Sequence, residues 1–126
     1  MIMRASSALL IVLGLTCPAW ATLTLTCSSD DGADIDMTLG TVPVAAIVGA
    51  RISFGDTSWS VMDNDIMVGQ QFSNDDMLIA DFTDPNIERI MARLRLFSAT
   101  MGEDFAMAGV LEIVDHGAYA ITCDGP

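Results

Sequence analysis

Lysine is absent from the chain, and five arginines face seventeen acidic residues, giving a formal net charge of −12. A field of that sign repels nucleic-acid phosphates and anionic lipid headgroups, which argues against both as partners. It attracts cations, or a basic protein or peptide, and it also keeps an exported domain soluble. Histidine is nearly absent too. His116 stands alone, so any Ser-His-Asp or Cys-His chemistry would have to use it, and it sits in the hairpin-turn sequence Asp115-His116-Gly117. No apolar run reaches the ~20 residues that a membrane span requires; the run from Ala5 to Leu15 falls short.

That short run has a different meaning. It follows Met1-Ile2-Met3-Arg4, with one positive charge, and leads through Cys17-Pro18 to Ala19-Trp20-Ala21. A charged start, an apolar middle and an A-x-A end make a secretory signal peptide, here residues 1–21. The charge holds the start at the cytoplasmic face while the apolar run enters the bilayer, and the peptidase requires small side chains at its subsites. A lipoprotein anchored at Cys17 is the alternative, but Leu15 and Thr16 are bulky where a lipobox has small residues. The mature chain then runs from Thr22 to Pro126 as one domain, with 4 − 17 = −13 charges. A hydrophobic content of 52% argues against disorder.

Two cysteines remain after processing, Cys27 near the start and Cys123 near the end. In an oxidising compartment such a pair reads as a disulfide. Closing so long a loop stabilises a fold by roughly 4–5 kcal/mol in the chain-entropy model. The bridge also requires the first and last strands to be neighbours or to face each other.

Short strands with turns between them fill the rest. Thr22-Leu23-Thr24-Leu25-Thr26-Cys27 alternates, as does Ile35-Asp36-Met37-Thr38-Leu39. Val44 to Phe54 is an apolar stretch with Ile47, Val48, Ile52 and Phe54 as expected core and Gly49 as an expected bulge. Turn signals recur at Gly55-Asp56, Asp63-Asn64-Asp65, Ser73 to Asp76 and Asp115-His116-Gly117. Spacing of ~8–12 residues implies an all-β, antiparallel β-sandwich of about eight strands, with a small β-barrel as runner-up. One segment has two readings. Asp84-Pro85 resembles a helix start, and Ile87, Ile90, Met91, Leu94 and Phe97 share a helical face. As a helix, however, Leu96 would lie among the arginines. A strand from Glu88 to Ala99 places Ile90, Ala92, Leu94 and Leu96 on one side and Arg89, Arg93 and Arg95 on the other.

The arginine stripe is the weak anion-binding candidate, able to hold a carboxylate or phosphate bidentately or to pair with Glu112 or Asp81 across a sheet. The loop from Asp30 to Asp36 carries oxygen ligands but lacks EF-hand spacing and a closing glutamate. The seven methionines after residue 21 are scattered, which favours gap-filling in the core over a copper site. No catalytic, cofactor or metal residue is assigned.

The frame Leu25-Thr26-Cys27 … Tyr119-Ala120-Ile121-Thr122-Cys123 resembles the short periplasmic β-domain proteins of Gram-negative bacteria. It is also similar in outline to the periplasmic lysozyme inhibitors of the small β-barrel type. The resemblance covers the two ends and implies a periplasmic, disulfide-framed β fold. The middle lacks that family's glycine- and serine-rich inhibitory loop, so the inhibitory activity is not implied. The expected function is a non-catalytic exported interaction module with an acidic surface. A carboxylate-dependent hydrolase and a periplasmic metal carrier are the alternatives.

Overall fold

A computed structural model describes residues 22–40 and 46–124. The expected signal segment, residues 1–21, lies outside the described residues, as does the start of the apolar stretch at Val44. Among those described there are nine strands: β1 (Thr22–Ser28), β2 (Ala33–Gly40), β3 (Ala46–Phe54), β4 (Thr57–Ser60), β5 (Met67–Ser73), β6 (Met77–Thr83), β7 (Ile90–Met101), β8 (Asp104–Ile113) and β9 (Gly117–Asp124). No described helix is long and apolar enough to cross a membrane.

The alternation in the sequence becomes the two faces of a sheet. In β2, Ala33, Ile35, Met37 and Leu39 are buried while Asp34 and Asp36 are exposed. In β7, Ala92, Leu94 and Leu96 are fully buried and the arginines between them face outward. The ambiguous segment is therefore a strand, running Ile90–Met101. One apolar cluster gathers side chains from both halves of the chain, including Leu25, Ile35, Ile52, Phe82, Leu94 and Ile121.

The turns follow the local chemistry. Gly55 and Gly102 each open a two-residue hairpin connection with positive φ (54° and 62°), where a side chain would be strained. Ser29 Oγ accepts the N–H of Ala33 at 2.9 Å, and Asn74 Oδ1 accepts those of Asp76 and Met77 at 2.8 and 2.9 Å. These Asx- and Ser-turn contacts satisfy backbone donors that the strand ladders leave over.

The sheet order is β4-β3-β2-β1-β9-β8-β7-β6-β5, antiparallel throughout. Two meanders, β1–β4 and β5–β9, are thus joined where the first strand meets the last. Nine strands in one continuous, curled sheet replace the two-sheet sandwich of about eight strands expected above; the shape is a half-barrel. Turn spacing counts strands, but it does not tell whether they divide into two sheets. The joint that prevents division is short, pairing Thr26 with Asp124, Cys27 with Cys123 and Ser28 with Thr122. The Cys27–Cys123 disulfide lies in it, linking residues separated by 96 positions.

Curling brings the two outer strands back toward each other. The connection from Val61 to Ile66 spans from β4 to β5, and Ile66 is fully buried beneath it. Where β4 has ended, the Ile47 N–H of β3 donates to Gln71 Oε1 of β5 at 2.7 Å. A side-chain amide here takes the place of a strand ladder. Val48 departs from its expected core position and is 56% exposed. Leu39 pairs with Ile47 and Thr38 with Gly49, so Val48 is the extra residue of a bulge, turned outward next to the glycine.

Candidate functional site

The outer surface of the curled sheet is chemically divided. Across β1–β4 it carries Thr24, Thr26, Asp34, Asp36, Arg51 and Ser58, all exposed. Across β5–β9 it carries an apolar patch. Register places Phe72 opposite Ile79, Ile79 opposite Arg95, and Arg95 opposite Val110. The neighbouring row runs from Met77 to Phe97 to Ala108. Phe72, Phe97 and Val110 are 55%, 57% and 44% exposed, and Met101 lies beyond them at the end of β7. Such contiguous apolar exposure differs from the scattered surface leucine or valine that needs no explanation.

Arg93 and Arg95 cross this face as the alternation requires. Arg93 binds Glu112 at 2.6 Å, and Arg95 binds Asp81 at 3.0 Å. The Arg95 guanidinium also donates to the carbonyls of Leu94 and Ala80 at 2.8 and 3.3 Å. These pairs are partly solvated, which places each near 0–1 kcal/mol; their larger effect is to fix two cations flat beside the apolar row. At one end of the patch the hairpin tips are acidic, with exposed Asp75 and Asp76 between β5 and β6, and Glu103 and Asp104 at the β7–β8 turn. Ser98 ties the first tip to β7, its N–H donating to the Asp76 carbonyl at 2.8 Å and its hydroxyl to that of Asp75 at 3.1 Å.

Arg89 does not share this face. It precedes β7, in the connection from Asp84 to Arg89, and is exposed. Asp84 organises that loop: its Oδ1 accepts the N–H groups of Glu88 and Arg89 at 2.7 and 3.1 Å. The bond from Arg89, then that from Glu88, holds the Asp84 carboxyl below the ordinary 3.8, with the Arg89 charge acting in the same direction. A carboxyl whose pKa is lowered by folding stabilises the fold above the unfolded-state value and loses that contribution as pH falls through the folded-state value. Asp84→Asn is therefore expected to flatten the acid limb of the stability curve, measured as thermal midpoints between about pH 5 and pH 2. An unchanged acid limb would contradict this role. In the same loop Ile87 has φ 58°, a strained conformation for a β-branched residue.

A cleft of about 240 Å³ is lined by Arg89, Ile90 and Met91 on one side, Val114, Asp115 and His116 on another, and Trp59 of β4. The His116 ring packs tilted against Phe54 at 4.6 Å, and Phe54 also meets Trp59 edge-on at 4.8 Å. A larger, open groove of about 560 Å³ lies on the polar outer face, where Arg51 stands opposite Asp36 and Met62 and Asp63 overhang from the loop after β4. That loop is tied down by Ser60, whose N–H donates to Asp65 Oδ2 at 3.0 Å and whose hydroxyl accepts from Met62 N–H at 3.2 Å.

Among the described residues, no three His, Cys, Asp or Glu side chains are grouped so as to hold a metal ion. The methionines are dispersed: Met37 is in the core, Met91 and Met107 pack against it, and Met62 and Met101 are exposed. Sequence reasoning missed the apolar patch, although Phe97 and Val110 occupy outward positions of strands whose phase Leu96 and Leu111 set. No family model, curated protein or solved structure matches this chain.

Proposed function

We propose that this chain is an exported, non-catalytic interaction module that docks a basic protein through the outer face of β5–β8. The observation that carries the reading is the apolar patch of exposed Phe72, Phe97 and Val110 around half-buried Ile79, on a chain with a net charge of −12. Apolar contact supplies binding energy, while the acidic hairpin tips beside it steer a partner of opposite sign. The ion pairs Arg93–Glu112 and Arg95–Asp81 neutralise the charges that lie within the patch, so these arginines need no counter-charge from the partner. Export to the periplasm is part of the same proposal. It is supported by the signal pattern of residues 1–21 and by a disulfide of the kind that persists in oxidising compartments.

The test is retention of a basic protein from a periplasmic extract by the disulfide-bonded domain, compared with the double variant Phe72→Ser/Phe97→Ser. Both side chains are exposed, so the variant should fold. The wild type is expected to retain a partner that the variant releases, with retention weakening as salt rises. Equal retention by both, or none by either, would overturn the reading. Intact mass of the exported chain checks its start, expected at Thr22 without lipid.

A further inference from the structure

Cations are scarce in this molecule, which makes their placement informative. Of the four described arginines, Arg93 and Arg95 are engaged with Glu112 and Asp81. Arg51 faces a groove that also holds Asp36 and Asp63. Arg89 makes no ion pair among the described residues and lines the smaller cleft together with the molecule's only histidine. We propose that this cleft binds a small organic carboxylate carrying an apolar body.

Three kinds of donor line it. The Arg89 guanidinium is a permanent cation whose planar fork matches a carboxylate. His116 offers at least one ring N–H in either charge state, and Trp59 offers its indole N–H. Ile90, Met91 and Val114 supply apolar wall for the rest of the ligand. Both ring donors rest on Phe54, which is buried, so they are held before a ligand arrives and little ordering is required on binding.

The cleft also limits what it can take. Its volume, about 240 Å³, lies below the ~300–1,000 Å³ typical of sites for drug-sized ligands, so the ligand is small. Asp115 shares the lining and Asp84 lies beside Arg89, leaving one fixed cation among carboxylates. With two carboxylates so near, the Arg89 guanidinium can hold no more than a single negative charge, and a phosphate dianion is disfavoured. The site is independent of the apolar outer face, since its residues come from the end of β3, β4, the start of β7 and the β8–β9 turn.

Phenylacetate is a suitable probe, titrated into the disulfide-intact protein and followed by NMR at the Trp59 indole N–H and the His116 ring. Saturable shifts at both are expected, with Kd of about 0.1–10 mM for so small a ligand. Phenylacetamide, the uncharged isostere, should bind at least about tenfold more weakly, and Arg89→Gln should weaken phenylacetate by a similar factor. Because Arg89 is exposed, the variant's amide spectrum away from the cleft should be unchanged. Absent or unsaturable shifts, equal binding of the amide, or undiminished binding by Arg89→Gln would overturn the proposal. Displacement of phenylacetate by an equal concentration of inorganic phosphate would overturn the ligand class.

Discussion

Cys123→Ser is expected to lower the stability of the domain by about 2–5 kcal/mol, seen as a fall in the urea midpoint of the variant against the oxidised wild type. Part of the effect is general: the bridge closes a loop of 96 positions, and the unfolded chain regains the freedom that this closure removed. The rest is specific to the topology. Among the described residues the one strand ladder between the two meanders runs from Thr26–Asp124 to Ser28–Thr122, whereas β7 and β8 pair from Ala92–Ile113 to Met101–Asp104. The covalent link therefore reinforces the shortest ladder within the sheet's interior. A domain with ~5–15 kcal/mol of total stability loses a large share of it with this one bond. Cys27 is fully buried, so its sulfur also packs against the core. Equal midpoints for the oxidised wild type and the variant would refute the expectation, as would two reactive thiols in the native protein.

Gly109→Ala is expected to be at least as damaging, at about 3 kcal/mol or more. A Cβ built at Gly109 would lie 1.8 Å from the Arg95 carbonyl oxygen, 2.8 Å from its carbon and 2.9 Å from the Leu96 Cα. All three are backbone atoms of the adjacent β7, so no side-chain rotation can relieve the overlap. The absence of a side chain lets β8 lie closely against β7 as the sheet curls. Gly49→Ala is the control, because a Cβ there would meet nothing nearer than 3.9 Å. It should change the unfolding midpoint little. If the two alanine variants unfolded at the same denaturant concentration, the close approach of β7 and β8 would not be a requirement of the fold.

Strand positions were legible because burial on one side of a sheet leaves a period of two in the sequence. Thr22 to Cys27 shows it directly, and Leu96 resolved the segment before Phe97, since no helical face could hold both it and the arginines. Cys27 and Cys123 alone limited β1 and β9 to being neighbours or facing each other, and the sheet makes them neighbours. That all nine strands form one curled sheet was not legible, because hydrogen bonding between the meanders is made by backbone groups that leave no mark on residue choice. The cleft was illegible for the same reason. Trp59 and His116 are remote in sequence and meet only because curling carries β4 toward the β8–β9 turn. The arginines illustrate the limit: alternation placed Arg93 and Arg95 correctly on one face, but Arg89 lies one residue before the strand begins, so the loop sets its direction.

The strand order also has a consequence in time. A ribosome delivers β1 first and β9 last, and β9 is the only neighbour for the edge of β1 that carries the Thr26 to Ser28 ladder. At ~5–20 residues per second, that edge waits roughly 5–20 s for its partner to be made. Early in the interval β1–β4 can pair among themselves, yet Leu25, Ile35 and Ile52 still lack the side chains of β6–β9 that join them in one cluster in the finished domain. The Cys27 thiol waits in the same open edge. Nascent chains of this topology should therefore depend on being held apart from one another until the final strand arrives, and a truncation before Gly117 should leave a sticky, half-covered sheet rather than a smaller stable one.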